Sequence, residues 1–465
     1  MPAVPPDPLA SGIADFGARL RSGRTTSEAA TRAYLDRIAA YDGRIQSYEH
    51  VATGPALAQA RAVDALLVAG IDLGPLMGVP VGVKDILAVD GMRPATSGSS
   101  LDVADLVGGE GPFVKALKRA GAVILGKLKT AEFAIGRGGI NRVRGTPWNP
   151  WDSRIHRVPG GSSSGSGAAQ AAGLCGFAIG TDTAGSVRLP AALSGVVGVK
   201  TTKGLWSTDG AFPLSPTLDT VGLLVRSAAD AALVFAALSG QDAATPAEPR
   251  GLRLGRPASL FEVDLDPEVR TCLDAVIVKL EDAGVDVVAA DIPDAGEAGA
   301  LFADINGPEL VAGLGRERSA QGLAKMDPFT VVPVEHGLGL NADRYVRQKA
   351  RHDALVRRAP GMMEGVDAWI APTVRWMATP VASIPLPGAG GPPARVWASN
   401  TVHVNLLGLC ATTSPIHGLG APLPVGFQVI APAFAEAKAL AIACLVERLI
   451  GPPPRPDLAG FLAPP

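Results

Sequence analysis

Two hydrophobic periods alternate through the first half of the chain. After Thr25 the run A-A-T-R-A-Y-L-D-R-I-A-A-Y carries apolar residues at helical spacing. T-T-S-E at 25–28 reads as a capping box, with Thr25 as N-cap and Glu28 reaching back. A second helix is expected over about 55–69. Val81–Val83 and Ile86–Val89 are short apolar runs ending at Asp90-Gly91, and both read as strands. Helices at 111–120 and 130–136 bracket a buried strand at 122–126. Past a glycine-serine turn come a helix at 164–173, a strand at 176–181, a helix at 187–193 and a strand at 196–199. Such alternation of buried strands with helices predicts an α/β fold around a mostly buried sheet.

Residues 1–10 are Pro-rich and read as an extended tail, followed by a single domain over 11–465. Q-D-A-A-T-P-A-E-P-R-G is a polar connector, and 245–360 reads as a variable insertion of helices and strands beside the active site. P-L-P-G-A-G-G-P-P at 385–393 is a loop, and 433–449 is a closing helix that stops at Gly451-Pro452. Composition fits a globular chain with a large core: 47% hydrophobic and 18% charged over 465 residues. A net charge of −2 leaves no basic excess for nucleic acid. No apolar run approaches the length of about 18 residues that a membrane span requires. The first ten residues lack the pattern of a signal peptide. Cys175, Cys272, Cys410 and Cys444 sit singly in apolar contexts, as expected of reduced thiols in a cytoplasmic protein. The six histidines show no zinc-ligand spacing, so neither a metal nor a cofactor is expected.

Chemistry concentrates at 159–190: P-G-G-S-S-S-G-S-G-A-A-Q-A-A-G-L-C-G-F-A-I-G-T-D-T-A-G-S-V-R-L-P. Two serine-bearing glycine turns flank a small-residue helix and an apolar strand, which can bring Ser162 and Ser186 together. Lys84 lies in V-P-V-G-V-K-D, where burial would depress its pKa. Two serines and a desolvated lysine suffice for nucleophilic acyl chemistry. Each has an ordinary alternative: Ser186 as a helix N-cap, G-G-S-S-S-G-S-G as a linker, and Lys84 as an exposed strand residue. Gly161–Gly165 also satisfies G-x-S-x-G, the elbow of an α/β-hydrolase, which needs a strand directly before it. The preceding D-S-R-I-H-R-V-P-G is a poor strand.

This segment resembles the amidase signature family. The resemblance extends to G-V-P-V-G-V-K-D at 78–85, A-G-A-V-I-L-G-K at 120–127, N-P-W at 149–151, G-V-V-G-V-K at 195–200 and L-P-V-G-F-Q at 423–428. It implies a large mixed sheet with helices on both faces. It further implies Ser186 as nucleophile, Ser162 as a bridging serine after a cis Gly161–Ser162 peptide, and Lys84 as base. Backbone N–H groups of Thr183, Ala184, Gly185 and Ser186 would form the oxyanion hole, with Ser163, Asp182 and Arg188 supporting the turns. Ala184 departs from the family's T-D-T-G-G-S; a similar Ala occurs in members acting on urea-like or carbamate-like bonds. Phe133, Ile135, Gly136, Trp376 and Met377 are candidate pocket residues, and an apolar substrate arm is expected. The implied activity is hydrolysis of a C–N acyl bond in a small or aryl amide, or in a carbamate such as a urethane, by a monomer or homodimer. The alternatives are the catalytic subunit of a glutamine-dependent tRNA amidotransferase and a non-catalytic scaffold. Retention of Lys84, Ser162 and Ser186 together argues against the scaffold.

Overall fold

The computed structural model describes residues 4–292, 297–388 and 397–462. Among these, one sheet holds eleven strands: β1 (Tyr48–Val51), β2 (Pro80–Lys84), β3 (Val123–Leu128), β4 (Phe177–Asp182), β5 (Val197–Lys200), β6 (Thr220–Val225), β7 (Arg253–Arg256), β8 (Asp286–Ala289), β9 (Ala368–Pro372), β10 (Cys410–Pro415) and β11 (Gly426–Ala431). Their spatial order is β1-β3-β2-β4-β6-β5-β10-β11-β9-β7-β8. The sheet is mixed. β2 runs parallel to β3 and β4, whereas β4–β6–β5–β10–β11–β9 is antiparallel throughout. The strands from β3 to β9 in this order are buried along their full length, and only the edge strands β1 and β8 and the penultimate strand β7 show exposed or half-buried positions. Burial on both faces is why β2, β3, β4 and β5 carry short runs of consecutive apolar residues instead of an alternation.

The strands expected at 81–83, 122–126, 176–181 and 196–199 form, as do helices Pro112–Arg119, Ser164–Ala171, Arg188–Ser194 and Glu436–Ile450. The glycine-serine run is no linker. Gly165 lies so close to β3 that a Cβ there would stand 2.3 Å from the Ser47 carbonyl and 2.5 Å from the Lys129 nitrogen.

Several local expectations fail for identifiable reasons. Ile86–Val89 is not a strand: the Lys84 carbonyl accepts from the Ile86 and Leu87 N–H groups and closes a turn, leaving one isolated bridge, Leu87 to Ala211. The first helix cap shifts by one residue. Thr26, not Thr25, is the N-cap, and its hydroxyl accepts from Ala29 N–H at 3.0 Å. The Asp64 carboxylate takes the N–H groups of Ser27 and Glu28, and Glu28 pairs with Arg32 instead of reaching back. The helix expected at 130–136 is a single 3₁₀ turn, Glu132–Ala134. The end of the N-terminal segment packs on the body: Leu9 is buried, and Asp7 accepts from the Tyr34 hydroxyl at 2.7 Å and pairs with Arg226. Within 245–360, β7 and β8 extend the main sheet beside β9, while helices Ala298–Leu314, Pro328–Gly339 and Ala342–Met362 pack together. Of the 385–393 loop, positions 389–393 lie outside the described residues.

Candidate active site

Lys84 ends β2, walled by β3 and β4. Its side chain is fully buried, and Nζ donates to Ser162 Oγ at 2.8 Å and Thr181 Oγ1 at 2.9 Å. Burial pushes the Lys84 ammonium down to about 7, against the opposing pull of the Asp219 and Asp182 carboxylates. The adjacent buried lysine differs: Lys127 makes an ion pair with Asp85 at 2.7 Å, so its charge has a partner. Among the described residues, Lys84 Nζ has only the Ser162 and Thr181 hydroxyls within hydrogen-bond reach, which solvate a neutral amine adequately and an ammonium poorly.

Ser162 follows a cis Gly161–Ser162 peptide. Its carbonyl accepts from Ala131 N–H at 3.0 Å and Thr130 Oγ1 at 3.1 Å, which fixes the turn to the end of β3. Ser163 secures the other side. Its hydroxyl accepts from Thr181 N–H and donates to the Thr181 carbonyl, both at 3.3 Å. Ser163 N–H also donates to the Ser186 carbonyl at 3.2 Å, so the two serine turns meet through the main chain.

The second turn, Thr183–Ser186, leaves β4 and is organised by Asp182. Asp182 Oδ1 accepts from Gly185 N–H at 2.8 Å, and Oδ2 accepts from the N–H groups of Val187 at 3.2 Å and Arg188 at 3.4 Å. The carboxylate therefore caps the following helix, whose N-cap is Val187 rather than Ser186. Arg188 is fully buried. It pairs with both Asp182 oxygens at 3.0 Å and donates to the Thr401 carbonyl at 3.0 Å and to Asn405 Oδ1 at 2.6 Å. Burial alone would raise the Asp182 carboxyl, but the Arg188 guanidinium holds it far below the usual carboxylate range.

One assignment needs correction. The Gly185 N–H, expected in the oxyanion hole, is directed to Asp182 instead. The N–H groups of Thr183, Ala184 and Ser186 have no protein acceptor among the described residues. Gly185 has φ +126°, and a Cβ there would meet Thr401 Oγ1 at 2.2 Å, so glycine is needed for the close approach. Thr401 Oγ1 donates to the Ala184 carbonyl at 2.6 Å and holds that turn from the far side.

The expected pocket residues disperse. Phe133 is fully buried in the main core, stacked on Phe212 at 5.1 Å, so it does not front a substrate cavity. Ile135 is half-buried and Gly136 exposed. Trp376 packs edge-on against Trp397 at 6.0 Å, in a cluster with Leu189 and Phe329. Met377 turns to a different cluster, around Leu254 and Phe427, with its N–H on Asp266. The elbow reading lacks its strand: Arg157 makes only an isolated bridge to Pro380 before the turn.

Sequence reasoning missed Thr181, Asp219, Thr401 and Asn405. Gln428, inside L-P-V-G-F-Q, reaches Arg188 at 3.3 Å, so that motif held a local signal. Thr401 and Asn405 stand more than 200 positions from the turn they brace, and no local pattern marks them. Among the described residues, no group of three His, Cys, Asp or Glu side chains could hold a metal ion, and no helix is long and apolar enough to cross a membrane.

The sequence profile of the family described as Amidase matches residues 29–440. The 2-amino-5-chloromuconic acid deaminase of Comamonas testosteroni is 38% identical over 446 residues, covering 94% of this chain and 96% of that one. A glutamyl-tRNA(Gln) amidotransferase subunit of Moorella thermoacetica is 35% identical over 463 residues, covering 91% and 93%. The native peptide amidase of Stenotrophomonas maltophilia superposes with a TM-score of 0.83 at 29% identity, over 98% of this chain and all of that one. Sequence and architecture thus agree over nearly the whole length, and this chain belongs to the amidase family of C–N bond hydrolases.

Proposed function

We propose that the enzyme hydrolyses a small amide or carbamate through an acyl-enzyme on Ser186, with Ser162 and Lys84 as its proton relay. The observation that carries this reading is the buried Lys84 Nζ, 2.8 Å from Ser162 Oγ and poised to be neutral near pH 7. Ser186 Oγ bonds to the acyl carbon. Its proton passes to Ser162, which passes its own to the neutral amine of Lys84. The negative charge on the former carbonyl oxygen falls to the free N–H groups of Thr183, Ala184 and Ser186, and each such donor is worth roughly 3–4 kcal/mol in the transition state. Lys84 then returns a proton through Ser162 to the leaving nitrogen, and the C–N bond breaks. Water, deprotonated by the same relay, attacks the acyl carbon and releases the acid and Ser186. Asp182 and Arg188 keep the turn in shape and take no part in bond making.

A second reading, as one chain of a tRNA-dependent amidotransferase, draws on the 35% identity to such subunits. The purified chain should settle the choice with a panel of anilides, primary amides, aryl carbamates, an aminomuconic acid and glutamine. Turnover by the chain alone supports the hydrolase. Turnover of glutamine only when partner subunits are added favours the other reading. Ser186→Ala should abolish turnover with the melting temperature unchanged, and a phosphonate probe should label Ser186. Near-normal kcat in that variant would remove Ser186 as nucleophile.

A further inference from the structure

Asp219 lies just before β6, outside the motifs that carry the family resemblance. Its side chain is buried. Oδ1 accepts from Thr183 Oγ1 at 2.6 Å, and Oδ2 accepts from Ser215 N–H at 2.8 Å. Ser215 Oγ donates in turn to Glu309 at 2.5 Å, on helix Ala298–Leu314. Asp219 therefore ties the turn carrying Ser186 to the helices of the 245–360 segment. It also stands close to the lysine. Asp219 and Thr181 share the wall of a cavity of 340 Å³, and Thr181 is the second hydroxyl partner of Lys84.

The charges on either side are few. Lys84 faces Ser162, Thr181 and the carboxylates of Asp182 and Asp219. Asp219 faces Thr183 and Ser215, with Lys203 favouring its charged form and Glu309 opposing it. Asp182 is already committed to Arg188, which leaves Asp219 as the carboxylate near Lys84 with no ion-pair partner among the described residues. Burial raises Asp219 to about 6, so its charge develops just below the pH at which Lys84 loses its proton. A carboxylate beside a lysine favours the protonated amine, and the two titrate as a pair.

We propose that Asp219 is a positioning residue for the acyl-transfer reaction: its carboxylate fixes the Thr183–Ser186 turn, and its charge sets the pH at which Lys84 becomes a base. The proposal rests on the reading of Lys84 as that base. The role has two separable parts. Loss of geometry lowers kcat, whereas loss of charge moves the pH profile.

The experiment is kcat/KM against pH for wild type, Asp219→Asn, Asp219→Glu, Thr183→Val and Lys84→Ala, on one amide. Asp219→Asn should move the rising limb down by about one pH unit, the size of a single neighbouring charge. It should also lower kcat about tenfold. Asp219→Glu should keep the limb in place while kcat falls. Thr183→Val removes a hydrogen bond that favours the carboxylate, so it should shift the limb the same way by less, and it decides the matter if Asp219→Asn does not fold. A limb that stays put in the folded Asp219→Asn variant, or in Thr183→Val when that variant must decide, overturns the proposal. A limb that survives in Lys84→Ala overturns the reading of Lys84 instead.

Discussion

Lys84→Met tests the buried lysine without any substrate. Holding Lys84 near 7 against an ordinary value of 10.5 is a gap of about 3.5 pH units, worth roughly 5 kcal/mol of preference for the neutral form. The unfolded chain keeps this lysine protonated to about pH 10, whereas the folded chain gives up its proton near 7. Between those values the unfolded state binds more protons, so stability must rise with pH. Below 7 the full cost of a buried ammonium is present, and it is relieved as pH climbs. Integrated from pH 6 to pH 9, the gain is roughly 2–3 kcal/mol. Lys84→Met lacks it. The variant leaves the Ser162 and Thr181 hydroxyls without their donor, which sets a constant offset but no slope. Most other titrating groups are common to both proteins and cancel in the difference. The assay is urea unfolding of wild type and Lys84→Met at pH 6, 7, 8 and 9, compared as a difference. Wild type should gain on the variant by roughly 2–3 kcal/mol across the series. A flat difference would mean that Lys84 keeps an ordinary pKa, and the neutral-base argument would fail with it.

Two further outcomes follow from the turn that carries Ser186. Asp182→Ala leaves the fully buried Arg188 guanidinium without its carboxylate and frees the Gly185, Val187 and Arg188 N–H groups. Thermal and urea unfolding should show a loss of about 3–5 kcal/mol, and a loss below about 1 kcal/mol would contradict the burial assigned to this pair. Gly185→Ala places a methyl 2.2 Å from Thr401 Oγ1 at φ +126°. Strain of about 1–3 kcal/mol should appear in the melting temperature, with turnover reduced far more than stability; Thr401→Ala in the same chain should recover part of the loss, and no recovery would rule out the clash as its cause.

The sequence alone determined the elements that need only neighbours. β2, β3, β4 and β5 are each built on a short apolar run because the sheet buries both of their faces, and a run of that kind is visible without a partner strand. The glycine-serine segment and the V-K-D run marked Lys84, Ser162 and Ser186 as candidates because their distinctive glycines, serines and lysine are contiguous in the chain. Where a local pattern competed with distant groups, the tertiary structure decided. Thr26 caps its helix while Asp64, brought from the next helix, takes the Glu28 N–H that a capping box from Thr25 would have used. Ile86–Val89 has strand composition but turns on the Lys84 carbonyl. Phe133 goes to the core because Phe212 stacks on it, and Met377 parts from Trp376 because each joins a different cluster. The Gly185 N–H turns to Asp182, and Arg188 binds groups from residues 182, 401, 405 and 428 at once. Such partners are set by the packing of whole strands and helices, and their separation in the chain carries no trace of it.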